Sequence, residues 1–197
     1  MNTWNLPRPT ADDLLDGINL PLPLKKVIFR RGMTTNKQVN ELIKPDLPHE
    51  PYQNFPYLAK AVERLKVACH KIETVAICGD YDADGMTSAA LLKNTLQLLG
   101  AKAKVFIPNR LDDGYGLNTN MVNTISSQGT KLIITVDNGV TSIDALKLSN
   151  NINIDVILTD HHKIINILPE IFALIHPSTT PENSPYRSMA GVGLAYV

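Results

Sequence analysis

The sequence predicts an α/β fold built on a parallel sheet with helices on both faces. Short apolar segments typical of buried strands recur between residues 75 and 175. Segments with helical spacing, each of roughly ten residues, separate most of them, as in βαβ units. Acidic residues and histidines directly follow three of these strand-like segments. Because parallel strands end at one shared edge, where open α/β folds bind ligands, we expect these residues to meet there.

The composition is that of a folded protein with balanced charge. Of its 197 residues, 44% are hydrophobic, which is enough for a packed core. The 19 basic and 19 acidic side chains cancel, which excludes a broad basic field but not a local basic groove for nucleic acid. Two cysteines are too few for a disulfide scaffold, and no apolar run reaches the ~18 residues of a membrane span. We therefore expect a cytoplasmic protein with no membrane partner.

Residues 1–55 are predicted to form an N-terminal arm of short helices and turns, because seven prolines interrupt this stretch. Its basic pairs, Lys25-Lys26 and Arg30-Arg31, are interpreted as a solvated helix face, with a nucleic-acid contact as the alternative. Residues 56–197 are predicted to form the α/β domain. The chain ends in an apolar segment typical of a helix that is just beginning, so we expect the domain to be incomplete at its C-terminus.

The first half of this domain alternates helix and strand patterns. Apolar residues at helical spacing predict a helix over 58–69, and 75–78 is a short apolar strand. An apolar helix over 89–99 is closed by Gly100, since glycine commonly ends helices. Residues 104–107 are predicted to form the second strand.

The second half continues the alternation. A short helix over 120–127 leads to the strongly apolar strand 132–136, and a helix over 142–148 leads to the strand 155–159. A last strand is predicted over 173–175. The pattern of the whole domain is therefore typical of a parallel sheet covered by helices.

The first strand-end cluster contains three aspartates at every second position, Asp80, Asp82 and Asp84. Carboxylates held together in an extended turn repel one another unless a cation relieves the repulsion, and oxygen ligands favour magnesium, manganese or calcium. An EF-hand loop is a competing interpretation, but its twelfth position is Leu91 instead of glutamate, and a strand precedes it. A solvated acidic turn is the alternative without a metal.

Two further clusters follow the third and fourth predicted strands. Asp137 taken alone is more typical of a turn or a helix cap. Asp160 is followed by His161 and His162, and neutral imidazole is a common metal ligand. Together, the three clusters favour a site in which two hard metal ions bind a phosphoryl group and activate a water molecule.

Four more residues are candidates for contact with a phosphate-bearing substrate. Arg110 follows the second strand and can bind phosphate through its planar guanidinium, although an ion pair with a neighbouring aspartate is equally expected. Tyr115 is a candidate for stacking on a base, or else it packs on its own loop. Gly191 and Gly193 allow backbone N–H groups to approach an anion at a helix start.

The motifs at 78–85 (CGDYDADG), 136–139 (VDNG) and 159–162 (TDHH) resemble, in order, three successive motifs of the DHH phosphoesterase family. The segments 107–116 and 189–193 further resemble its RecJ-like branch of single-strand-specific DNA exonucleases, and the proline-rich arm is similar to theirs. The resemblance extends over nearly the whole chain. It implies a DHH-type domain preceded by an N-terminal arm.

The function that this resemblance implies is 5′-to-3′ exonuclease hydrolysis of single-stranded DNA, with two manganese or magnesium ions, in DNA repair and recombination. Single-strand-binding protein and a helicase are the implied partners. By resemblance, Asp82 and Asp84 each hold one ion, and Asp137 bridges the two. His161 is a further ligand, and His162 contacts the scissile phosphate. The resemblance also implies Asp80 as a support of the ligands, and Arg110, Gly191 and Gly193 as substrate contacts. We further expect Asp160 to support the ligands and Tyr115 to contact the substrate.

Two features depart from the family pattern. Many DHH enzymes have a histidine ligand where this chain has Cys78, which we expect to be a buried strand residue. The family also supplies another aspartate ligand and a C-terminal domain, and we expect both to lie beyond this chain. The alternatives are another DHH phosphodiesterase, acting on short oligonucleotides or cyclic dinucleotides, and a catalytically silent nucleic-acid-binding or scaffold module.

Overall fold

The structure is a computed structural model that describes residues 10–11, 14–44, 50–109 and 114–197. The chain divides into two compact units, residues 1–48 and residues 49–197. The contacts within the chain place residues 49–55 in the second unit. The domain boundary expected between residues 55 and 56 stays a prediction, and part of the predicted arm lies outside the described residues.

The first unit contains two short helices, α1 (Leu22–Arg30) and α2 (Asn36–Ile43). The side chains of Thr35 and Gln38 cap the start of α2 reciprocally, each accepting a hydrogen bond from the backbone of the other. The buried apolar residues of this unit form a small cluster of their own: Leu15, Ile18, Ile28 and Val39.

The second unit is built on a parallel sheet of five strands in the order β2-β1-β3-β4-β5. The strands are β1 (Thr74–Cys78), β2 (Lys102–Phe106), β3 (Leu132–Val136), β4 (Asp155–Thr159) and β5 (Ala173–Ile175). The predicted parallel α/β sheet is confirmed. In this order β1, β3 and β4 are neighbours, so the segments that follow them lie at adjacent points of one edge.

Helices cover both faces of the sheet, as predicted. They are α3 (Pro51–Asn54), α4 (Leu58–His70), α5 (Ala83–Leu98), α6 (Thr119–Ser127), α7 (Ile143–Asn151) and α8 (Gly191–Tyr196). Alternate strand residues enter two separate apolar clusters, since successive side chains of a strand point to opposite faces. One cluster includes buried residues of α4, α5 and α8, and the other includes buried residues of α6 and α7.

Helix α5 begins at Ala83, earlier than the predicted start at residue 89. The side chain of Asp82 accepts a hydrogen bond from the N–H of Gly85 at 3.0 Å and so caps the helix. Asp84 therefore lies in the first helical turn, and the expectation that all three aspartates occupy an extended turn was wrong.

Across the described ranges of both units, the helices are too short or too polar to cross a membrane.

Candidate metal centre

Acidic and imidazole side chains meet at the carboxyl edge of the sheet. Asp80 follows β1 after one glycine, Asp137 directly follows β3, and Asp160 directly follows β4. These three carboxylates are at most 4% exposed. The structure therefore brings the three predicted clusters together, although they are distant in sequence.

Asp137 lies at the centre of this group. Its backbone has a φ of 61°, in the left-handed region that few residues other than glycine, asparagine and aspartate adopt. Its Oδ1 is buried and has no hydrogen-bond partner in the described part of the chain. The Nε2 atom of His161 lies 3.0 Å from this oxygen and the Nδ1 atom of His162 lies 3.9 Å from it. A buried carboxylate oxygen without a hydrogen bond is costly, so its position suits a ligand of a cation.

The surroundings of Asp137 raise the pKa of its carboxyl group to about 7. Burial is the largest cause, because it disfavours the charged form, and the carboxylates of Asp84 and Asp82 add repulsion. The charge of His162 acts in the opposite direction. A divalent cation at this position would favour the ionised carboxylate, since it attracts all of these negative charges.

Asp82 and Asp84 lie at the start of α5, with different surroundings. Asp82 is exposed, whereas the two oxygens of Asp84 accept hydrogen bonds from the N–H groups of Gly191 and Val192 at 2.6 and 2.7 Å. The Oδ2 atom of Asp84 is also 3.7 Å from Nε2 of His161. Asp84 therefore joins α5 to the start of α8 at the edge of the site. Its role as a metal ligand stays a prediction.

Two glycines allow the backbone to approach the aspartates closely. A Cβ atom at Gly85 would lie 2.6 Å from the backbone nitrogen of Asp80, and one at Gly191 would lie 2.7 Å from Cβ of Asp137. Neither position has room for a side chain. Gly191 thus lies against the centre of the site, whereas a Cβ atom at Gly193 would meet the side chain of Met189. Contact of either glycine with substrate stays a prediction.

Asp160 orients His162. Its Oδ1 accepts a hydrogen bond from the backbone N–H of His162 at 3.0 Å and lies 2.7 Å from the ring Nδ1. Its Oδ2 accepts from the N–H of Val140 at 3.0 Å. Burial lowers the pKa of His162, but the hydrogen bond to Asp160 and the surrounding carboxylates raise it by more, so the pKa is raised overall. This geometry supports the predicted role of Asp160 as a support.

Tyr115 borders the site on the side of His162. Its hydroxyl donates a hydrogen bond to the carbonyl oxygen of Asp137 at 3.1 Å. Burial, together with the nearby carboxylates, raises the pKa of Tyr115, which keeps this donor protonated. Its ring makes edge contacts with His162 and Tyr81, at centroid distances of 5.9 and 6.3 Å, and is 42% exposed. Stacking on a base stays a prediction, and Arg110 lies outside the described residues.

Asn138 is a buried residue whose importance was not predicted from the sequence. Its Nδ2 donates hydrogen bonds to the carbonyl oxygens of Cys78 and Val136, both at 2.9 Å, and its Oδ1 accepts from the N–H of Leu117 at 3.1 Å. It therefore joins the ends of β1 and β3 to the segment that follows Tyr115. Cys78 is a fully buried strand residue, as expected, and burial raises the pKa of its thiol.

His176 was also missed. It directly follows β5, is 4% exposed, and its Nε2 lies 2.8 Å from the carbonyl oxygen of His162. Burial, the largest cause, lowers its pKa. The rule that polar residues after strands gather at one edge applies to β5 as well, so this rule could have identified it.

Among the residues that the structure describes, two groups of side chains have the ligand types and the spacing of a metal site. One contains Asp80, Asp82 and Asp137, and the other contains Asp137, His161 and His162. Within each group, the possible ligand atoms lie within 4.8 Å of one another. Asp137 belongs to both groups. Its role as a bridge between two ions stays a prediction. Carboxylate oxygens with imidazole nitrogens fit divalent ions such as manganese and magnesium.

Sequence comparison relates this chain to nucleases. The profile of the DHH family, N-terminal domain, matches residues 74–197. The single-stranded-DNA-specific exonuclease RecJ of Bacillus subtilis is 33% identical over 98% of this chain and 25% of its own length. RecJ of Escherichia coli is 36% identical over 97% of this chain and 33% of its own length. The chain therefore spans a quarter to a third of these curated relatives.

Solved structures of RecJ share the fold. A crystal structure of exonuclease RecJ bound to manganese matches 72% of this chain and 36% of that chain, with a TM-score of 0.65 and 34% identity. RecJ from Thermus thermophilus in complex with Mn²⁺ matches 89% of this chain and 24% of that chain, with a TM-score of 0.65 and 28% identity. The acidic and imidazole side chains at the strand ends lie within the part of the chain that the family profile matches. Because this profile extends over more than half of the chain, the chain belongs to the DHH family.

Proposed function

We propose that this chain carries the metal-dependent hydrolytic site of a 5′-to-3′ exonuclease that acts on single-stranded DNA in repair and recombination. The observation that carries the proposal is that Asp137 is shared by both candidate ligand groups and has a buried oxygen without a hydrogen bond in the described residues. The RecJ relatives, which match nearly the whole chain, support the choice of substrate.

In this proposal Asp137 would contribute to the sites of both of two manganese or magnesium ions, and Asp82, Asp84 and His161 would complete the ligand set. Asp80 lies close enough to Asp82 and Asp137 to join them. When bound, such a pair of ions supplies a water molecule of lowered pKa and stabilises charge on the phosphoryl oxygens. No separate protein base is then needed.

The chain's own side chains would position the phosphate. His162 has a raised pKa and is held by Asp160, so it is suited to donate a hydrogen bond to a negatively charged phosphoryl oxygen. Tyr115 keeps its ring edge beside His162 and part of its surface exposed, which suits contact with an unstacked base.

The test is hydrolysis of a 5′-labelled single strand by this chain with manganese, with a duplex and a dinucleotide as alternative substrates. We expect mononucleotides to be released from the labelled end of the single strand, and Asp137→Ala to abolish the release. Asp144→Ala is the matched control, because Asp144 is an exposed carboxylate in the first turn of α7 outside both ligand groups.

Two other results would contradict the proposal. Faster hydrolysis of the dinucleotide would favour a phosphodiesterase of short oligonucleotides. If none of the substrates is hydrolysed and calorimetry detects no manganese binding, a catalytically silent binding module would be favoured.

A further inference from the structure

We propose that His176 is a positioning residue that fixes the backbone of His162 through a hydrogen bond from its ring Nε2–H to the carbonyl oxygen of His162. The proposal rests on the proposed function, in which His162 contacts the scissile phosphate. His176 itself does not touch the substrate or the candidate ligand atoms. Its effect would be transmitted through the peptide group of His162.

The proton of His176 has one allowed position. Its Nδ1 lies 2.8 Å from the Ser178 hydroxyl, which can donate or accept, and 3.0 Å from the backbone N–H of Ser178, which can only donate. The backbone contact therefore makes Nδ1 an acceptor. A neutral ring then carries its proton on Nε2, which lies 2.8 Å from the carbonyl oxygen of His162, a group that can only accept. The contacts at the two ring nitrogens therefore require the same tautomer, and the ring acts as a one-way donor to His162.

His176 is itself firmly held. It is 4% exposed and directly follows β5. Its own carbonyl oxygen accepts hydrogen bonds from the backbone N–H of Thr179 at 3.0 Å and from the Thr179 hydroxyl at 2.7 Å. The backbone of His176 is thus continuous with β5 on one side and hydrogen-bonded to the 3₁₀ turn Pro177–Thr179 on the other. A buried and anchored donor of this kind can restrain a partner that lies outside regular secondary structure.

His162 needs such a restraint because of where it lies. Residues 160–172 form neither helix nor strand, and Ile165 and Ile167 in this segment are 75% and 95% exposed. Asp160 holds the N–H and the ring of His162, and His176 holds its carbonyl oxygen. The two residues therefore fix His162 from opposite ends, where regular secondary structure does not.

The first test measures the tautomer in this chain without any substitution. Long-range ¹H–¹⁵N correlation spectra of the ion-free protein should show His176 neutral, with its proton on Nε2. A proton on Nδ1 instead would overturn the proposal, since the bond to His162 could not then form. This measurement is independent of activity.

The second test compares two substitutions at His176. His176→Leu fills the space but donates nothing, whereas the side-chain amide of His176→Gln can still donate to His162. We expect the leucine variant to lose about tenfold in kcat with KM and manganese affinity changed by less than about threefold, and the glutamine variant to recover most of the loss. Equal kcat values for the two variants would overturn the proposal.

Folding and function are separated in the same experiment. Thermal unfolding of both variants checks that each is folded. If the leucine variant is not folded, the proposal is judged from the kcat of the glutamine variant and from the tautomer of His176. If the wild-type chain hydrolyses none of the substrates, the proposed function fails, and the positioning is judged from the ring signals of His162. These signals should broaden in the leucine variant and not in the glutamine variant. Unchanged signals in both variants would overturn the proposal that His176 positions His162.

Discussion

Asp137 is a residue whose features oppose folding when no cation is bound. Its φ is positive, its Oδ1 is buried without a hydrogen bond in the described residues, and Asp82 and Asp84 repel its charge. Asparagine adopts the left-handed region as readily as aspartate and carries no charge. The ion-free protein should therefore be less stable with aspartate here than with asparagine, as is common for residues retained for a functional site.

We predict that Asp137→Asn stabilises the ion-free protein by an amount that grows with pH. The pKa of Asp137 is about 7 in the folded chain and about 3.9 in an unfolded one, so between these values the folded state keeps a proton that the unfolded state has lost. The stability associated with this proton is fully present below pH ~4 and is lost as the pH rises through ~7. Urea unfolding with EDTA, at several pH values from about 5 to 8, measures the difference between variant and wild type.

The control for this prediction is Asp144→Asn, the same chemical change at an exposed position. Its difference from wild type should stay nearly constant over the same pH range. His162 also has a raised pKa, to which the charge of Asp137 contributes, so Asp137→Asn removes part of that stabilisation as well. Because the stabilisation by protonated His162 is lost as the pH rises, this effect makes the difference grow with pH in the same direction. A difference for Asp137→Asn that does not change with pH would show that the carboxyl group is not buried as described.

At the scale of single residues, the sequence predicted which residues lie at the carboxyl edge of the sheet but not all of their contacts. Asp137 could be predicted because it directly follows the apolar strand 132–136. His161 could be predicted because it follows Asp160, the first residue after the apolar strand 155–159. The bonds from Asn138 to Cys78 and from His176 to His162 join residues 60 and 14 positions apart. Such pairs depend on strand order and register, which the apolar pattern alone does not specify.

At the scale of the elements, α5 and α8 meet through Asp84. The carboxylate of Asp84 accepts two backbone N–H groups at the start of α8, and Gly191 places that start against Asp137. A carboxylate is favourable there, because the first N–H groups of a helix have no partner within it. The residues involved are 107 positions apart, so the sequence could predict both helices but not their junction.

Two alanine substitutions in α8 should separate its packing against the site from its helix propensity. In Gly191→Ala the new Cβ atom would lie 2.7 Å from Cβ of Asp137 and 2.9 Å from its Oδ1, so α8 or Asp137 must move. We predict a loss of about 1–3 kcal/mol in the free energy of unfolding, together with weaker manganese binding. Urea unfolding and calorimetry measure the two effects.

Gly193→Ala is the matched control in the same helix. Its Cβ atom would lie 3.0 Å from Cγ of Met189, a flexible side chain that can adjust, and alanine favours the helix. We expect its stability to change by no more than about 0.5 kcal/mol and its manganese affinity to match the wild type. Equal losses in the two variants would mean that α8 is sensitive to any substitution and that its contact with Asp137 has no special role.

On the scale of the whole molecule, folding and metal binding are coupled, because the candidate ligands come from three distant segments that only the folded sheet brings together. The parallel sheet could be predicted from alternating apolar strands and helices, and its edge from the rule for strand ends. The strand order, which makes β1, β3 and β4 neighbours, required the structure. An ion that binds the folded state alone must then raise its stability.

We predict that each bound manganese ion, at about 100 times its Kd, stabilises the chain by about 2.7 kcal/mol, which for a domain of this size raises Tm by roughly 5–11 °C per ion. EDTA should reverse the shift. In Asp82→Asn the shift should be much smaller, although asparagine still caps α5, because one carboxylate of the ligand group is lost. Asp144→Asn should keep the full shift. Equal shifts in wild type and both variants would place the ion elsewhere on the chain, since a site at the sheet edge must respond to the charge of Asp82.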